Sequence, residues 1–205
     1  MSRILLAAAF ILSATVLAAA DTKAYTLSIG GRDYQIDAGD SVEVDLPDGQ
    51  KATVKLERNP FARYAGESFA FEHPAGTTVG RSEIDKTIDQ HLLATALGTL
   101  IILQEYRTLD PTSLDQLMLQ QLTQDGIRAG AKVSQQPATR TLSDGKQLKG
   151  LTASETSRTE TIDYEIVSYG EEDRGVLVVT RIDQDNNAAD GEILKRFWET
   201  LKIGF

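Results

Sequence analysis

The sequence predicts an α+β protein, an antiparallel β-sheet flanked by helices, with a small N-terminal β meander ahead of it. Three observations carry that prediction. Short runs of alternating apolar and polar residues recur along the chain, and turn residues separate them. Two stretches, one in the middle and one at the C-terminus, repeat their apolar residues at helical spacing, whereas Ile84, Ile88, Leu92 and Leu93 share that spacing beside a β-branched run that favours strands. Strands and helices do not alternate regularly, so a parallel βαβ arrangement is not indicated.

Residues 1–20 read as a secretory leader. Arg3 gives a basic start, Ile4 to Leu12 is unbroken apolar sequence, and Ala18 and Ala20 form an A-x-A cleavage site before Asp21-Thr22-Lys23. The expected outcome is cleavage after Ala20 and a periplasmic protein, with secretion as the alternative. The rival reading, a retained anchor, suits the segment less well, because the span is short and rich in alanine. No later segment is long and apolar enough to cross a bilayer: Leu92 to Leu103 is interrupted by Thr95, Gly98 and Thr99. The chain has no cysteine, which excludes lipoprotein attachment and disulfides, so a packed core must hold the fold. A hydrophobic share of 41% with 25% charged residues suits such a core.

The meander occupies residues 21–66. Tyr25, Leu27 and Ile29 alternate with polar residues, Gly30-Gly31 supplies a two-residue turn, and Tyr34 and Ile36 answer across it. Val42, Val44 and Leu46, the turn Pro47-Asp48-Gly49, then Ala52, Val54 and Leu56 repeat the pattern. Glu57 to Tyr64 reads as a connector. The main domain is placed at 67–205 and opens with a strand over Ser68 to Pro74. From Thr87 to Glu105, a hairpin turning near Gly98 is favoured over one long helix. Asp110-Pro111-Thr112-Ser113 leads into a helix carrying Leu114, Leu117, Met118 and Leu122, with Ser113 and Gln116 as a capping box. Strands are expected at Lys132–Gln135, Thr139–Leu142, Gln147–Glu155, Thr161–Tyr169 and Val176–Ile182. A last helix, Glu192–Lys202, aligns Ile193, Leu194, Phe197, Trp198 and Leu201 on one face, with Asp190 as its N-cap.

Residues 68–203 resemble the PsbP/DcrB/Mog1-like family. The likeness lies in Phe69-Ala70-Phe71-Glu72-His73-Pro74, the middle helix ending near Gly126, and the hairpin at Asp144-Gly145. It continues in the strand Val176-Leu177-Val178-Val179 and the closing Phe197-Trp198-Glu199-Thr200-Leu201-Lys202-Ile203. That resemblance implies an α/β/α sandwich around an antiparallel sheet and a non-enzymatic accessory or adaptor role. It transfers no binding residue, because the matching motifs mark core and turns.

Charge narrows the partners. The formal net charge is −9, one unit more negative once Arg3 leaves with the leader, and no basic stripe exists. Nucleic acid and anionic membrane surfaces are therefore not expected partners. Local motifs offer little chemistry. His73 and His91 are the only histidines and read as edge or loop residues, without metal-ligand spacing. Asp183, Asp185 and Asn187 have the 1, 3, 5 spacing of a calcium loop, but Ala188 and Leu194 occupy the positions that need Gly and Glu, so a solvated loop is favoured. Gly66-Glu67-Ser68-Phe69-Ala70 half matches a serine-hydrolase elbow. Glu171-Glu172-Asp173 reads as a hairpin tip, and Phe197 and Trp198 as core anchors. No catalytic, cofactor or metal residue is assigned. The function expected is an exported, non-catalytic envelope protein that binds an envelope or secreted protein, as an accessory, adaptor or immunity-type inhibitor. The alternatives are a periplasmic hydrolase with a carboxylate-based site and a carrier of a small apolar ligand.

Overall fold

The computed structural model describes residues 23–205, and the leader expected at 1–20 lies outside them. Strands make up 52% of the described residues and helices 17%, with every strand pair antiparallel, so the fold is α+β verging on mainly β. The chain forms two compact units that meet in sequence at Arg58 and Asn59.

The first unit is two hairpins. β1 (Tyr25–Ile29) pairs with β2 (Arg32–Ile36) across Gly30-Gly31, whose φ angles of 59° and 81° are open to glycine without strain. β3 (Ser41–Asp45) pairs with β4 (Lys51–Lys55) across the Pro47-Asp48-Gly49 turn. Ile36 and Val44 are its buried side chains.

In the second unit, the expected connector at 57–64 is corrected. Phe61–Ala65 is a strand, β5, paired with β6 (Phe69–Pro74). Its Tyr64 ring lies 5.7 Å from Phe71, and this cross-strand apolar contact draws the segment into a sheet. The C-terminal β14 (Lys202–Ile203) completes a three-stranded sheet with them. β7 (Val79–Asp85), β8 (Ile88–Ala94) and β9 (Leu100–Tyr106) follow, and β8–β9 is the favoured hairpin. With β10 (Lys132–Thr141), β11 (Gln147–Thr156), β12 (Thr161–Glu171) and β13 (Arg174–Asp183), they build a seven-stranded sheet in the order β10-β11-β12-β13-β9-β8-β7.

Successive residues of β13 feed two separate cores. Val176 and Val178 join Phe71, Phe197 and Leu201, whereas Leu177 and Val179 join Leu119, Tyr164 and Ile166. Side chains alternate across a strand, so the two cores lie on opposite faces of the sheet. Helix α1 (Asp115–Arg128) packs on the second face. Helix α2 (Asn187–Thr200) and the small sheet pack on the first.

Four further expectations change. The Ser113–Gln116 capping box does not form: the chain enters α1 through a Pro111–Leu114 backbone turn, and Leu114 holds the cap position without a side-chain bond. The two strands expected around Pro137 are one strand, β10, which tolerates proline because it lies at the sheet edge. The last helix begins at Asn187 instead of Glu192. Asp183 caps a short 3-10 turn, Gln184–Asn186, and Asp190 sits buried inside α2, where it accepts the Thr95 hydroxyl. His73 and His91 are not edge or loop residues, since both are buried on strands.

Candidate functional site

Among the described residues, an open cleft of about 660 Å³ lies between α2 and the outer strands of the large sheet. Two periodicities build it. In α2, Asn187, Gly191, Leu194 and Trp198 recur every three or four residues and form one wall. In the sheet, register places Gln136 beside Thr152, Thr152 beside Glu165, Ser154 beside Asp163, and Glu165 beside Thr180. These side chains share the face that carries α2, beyond the stretch where apolar residues fill it. The floor is therefore polar although β12 lies inside the sheet.

Two carboxylates two residues apart on β12 organise that floor. Glu165 accepts a bidentate pair from Arg140, with Nε donating at 2.9 Å and Nη2 at 2.5 Å. The same guanidinium lies 4.7 Å from the centre of the Trp198 ring, a cation–π contact that ties β10 to α2. Asp163 accepts the Ser154 hydroxyl at 2.5 Å and the Gln184 amide at 3.0 Å. Among the described residues no cation pairs with Asp163. Both carboxylates thus accept bonds from fixed neighbours, which suits positioning better than proton transfer. Trp198, expected as a core anchor, is half-buried and lines this cleft, whereas Phe197 is fully buried beside it.

The half-matched elbow leads to a different cluster. Ser68, Glu105, His91 and Tyr64 form a chain of hydrogen bonds where the two sheets of the second unit meet. Ser68 donates its hydroxyl to Glu105 at 2.6 Å and its backbone N–H at 2.7 Å. His91 Nε2 lies 3.0 Å from the other Glu105 oxygen, and Tyr64 Oη lies 2.8 Å from His91 Nδ1. A neutral imidazole satisfies both contacts by donating from Nε2 and accepting at Nδ1. Burial works to raise the Glu105 pKa. The donors from His91, Ser68 and the Glu67 backbone outweigh it and hold the group at about 2. Burial raises the Tyr64 phenol.

A hydrolytic triad needs the histidine on the serine, with the carboxylate behind it. Here the carboxylate stands between the two, so His91 cannot take the Ser68 proton, and His91 and Glu105 are buried. The cluster is a structural rivet. His73 points elsewhere, with Nδ1 at 3.0 Å from both Pro74 O and Thr77 Oγ1.

The remaining sequence features do not assemble a site. The calcium-like segment at 183–192 is a helix start, not a loop, and Asp183 is spent on the Asp185 N–H. Among the described residues no group of three or more His, Asp or Glu is arranged to hold a metal ion. Glu171 pairs with Arg174 at the tip of the β12–β13 hairpin. The cleft itself escaped sequence reading because its floor comes from four strands. Its two signals were local: carboxylates at i and i+2 between the apolar residues Ile162, Tyr164 and Ile166 of β12, and the small-to-large stripe from Gly191 to Trp198. No protein-family model matches the chain, and no characterised protein matches it in sequence, so the site rests on its own chemistry.

Proposed function

We propose that this chain is an exported, non-catalytic binding protein of the cell envelope, acting as an accessory, adaptor or immunity-type inhibitor. Another envelope or secreted protein is held in the cleft beside α2. The observation that carries this reading is the cleft: open, half walled by Trp198 and Leu194, floored by hydroxyl and amide groups, and with both carboxylates held in place by neighbouring donors. Such a surface orients an extended polar segment. The net charge of −9 favours a cationic partner through faster encounter and charge complementarity. Periplasmic location follows from the leader at 1–20 and is part of the proposal. So is a PsbP/DcrB/Mog1-like α/β/α sandwich, which the placement of α1 and α2 on opposite faces of the large sheet supports.

A pull-down from envelope extract at physiological salt tests the reading. The native chain should recover a partner, and Gly191→Leu, which projects a side chain into the cleft, should recover at least tenfold less. Recovery of nothing, or equal recovery by both, counts against it.

A carboxylate-based hydrolase is the second reading, because Asp163 and Glu165 share one cleft. It requires turnover of a glycoside or ester that Glu165→Gln abolishes. The Arg140 fork on Glu165 speaks against a role as proton donor.

A further inference from the structure

Resting on the cleft as the binding site, we infer what it takes: a cationic side chain, an ammonium or guanidinium, presented on an extended peptide segment with Asp163 as its counter-ion. The protein carries its own template for this contact. Glu165 and Asp163 sit at alternate positions of β12 and face the same way. Glu165 has its cation, since Arg140 grips it with two donors and stacks on Trp198. Asp163 has only neutral donors, one on each oxygen, from Ser154 and Gln184.

Those two bonds fix the carboxylate plane and leave lone pairs open toward the cleft, because an ionised carboxylate has about four acceptor positions. A neutral ligand would leave this charge as it is. A ligand cation would complete the pattern that Arg140 and Glu165 show next to it. Around Asp163, Ser134, Gln136 and Thr152 both donate and accept, which matches the main-chain amides of an extended segment. An anionic ligand would meet Asp163 with no free guanidinium to offset it, as Arg140 is already paired.

Trp198 is the only tryptophan in the chain and lines the cleft, so its emission reads occupancy directly. Full-length protein would be titrated with acetyl-Gly-Arg-Gly-amide, acetyl-Gly-Lys-Gly-amide and the neutral isostere acetyl-Gly-citrulline-Gly-amide. The expected result is a saturable emission change with the two cationic peptides and at least tenfold weaker binding of the citrulline peptide. Raising salt should weaken the cationic peptides alone. Asp163→Asn, which keeps the side-chain shape, should remove the preference for charge. Gly191→Leu should block all three peptides while its circular dichroism and melting curve stay native, which separates blockage from unfolding.

Equal binding of cationic and citrulline peptides, or an unchanged preference in Asp163→Asn, overturns the charge inference and leaves the cleft as a binding site. Silence from all three peptides also overturns the inference. If Gly191→Leu then still recovers the pull-down partner, the cleft falls as well.

Discussion

In α1, Gly126 faces β11, and a methyl group there would fall inside the Glu155 carboxylate, which is buried and accepts the Tyr164 hydroxyl at 2.8 Å. Burial, with the Glu155 carboxylate second, pushes the Tyr164 phenol up to about 12, so it remains a donor across the accessible pH range. In α2, a methyl at Gly191 would meet nothing within 4 Å. Helix propensity favours alanine over glycine at both positions by about 1 kcal/mol. At Gly126 that gain is outweighed, because Glu155 must leave its place and strand a buried donor, at about 1–3 kcal/mol. Gly126→Ala should therefore destabilise the protein by up to about 2 kcal/mol, and Gly191→Ala should stabilise it by about 0.5–1 kcal/mol. Urea unfolding followed by Trp198 fluorescence gives both signs. Shifts in the same direction would show that the surroundings of these glycines are misread.

At the scale of elements, the Glu105 cluster joins two hairpins that lie apart in sequence: β5–β6, through Tyr64 and the turn residue Ser68, and β8–β9, through His91 and Glu105 itself. Its charge gives a pH signature. The folded pKa of about 2 lies below the ordinary 4.5, so the carboxylate's contribution is complete above about pH 4.5 and drains away as pH falls toward 2. That contribution is on the order of 3 kcal/mol. Glu105→Gln should lose stability of that order at pH 7, and its unfolding free energy should then fall less steeply than the native protein's between pH 4.5 and 2. Parallel acid limbs for the two proteins would remove Glu105 from the cause. This cluster also marks what sequence could convey. The hairpins at Gly30-Gly31, Pro47-Asp48-Gly49 and Asp144-Gly145 were legible, because each turn depends on a few adjacent residues. β7 was not legible, because six of its seven residues, all but Val79, are exposed and no apolar alternation remains to see. The half-matched elbow found Ser68, but its partner Glu105 is set by sheet pairing and not by spacing. The cleft has the same origin: Trp198 was visible on its helix face, while Ser154 meets Asp163, and Arg140 meets Glu165, only through the pairing of strands.

Over the whole molecule, the packed cores and the proposed binding site reside in the same unit. Both apolar cores, the Glu105 cluster and the cleft belong to residues 59–205. Residues 23–58 bury Ile36 and Val44 beneath two hairpins, and the chain has no cysteine to brace them. A segment below about 40 residues rarely gains enough burial to fold without a disulfide or metal. A fragment spanning 59–205 should therefore fold alone, with dispersed amide resonances and one cooperative melt, whereas a fragment spanning 23–58 should give a coil spectrum. The cut matters at its start: beginning at 67 would remove β5 and with it Tyr64, one end of the hydrogen-bond chain that holds His91. The 59–205 fragment keeps every residue that lines the cleft. It should shift Trp198 emission at cationic-peptide concentrations within about twofold of those needed by the full chain, since binding follows the population of the folded site. A fragment that folds yet binds tenfold more weakly would place part of the recognition in residues 23–58, and the cleft alone would no longer account for the ligand.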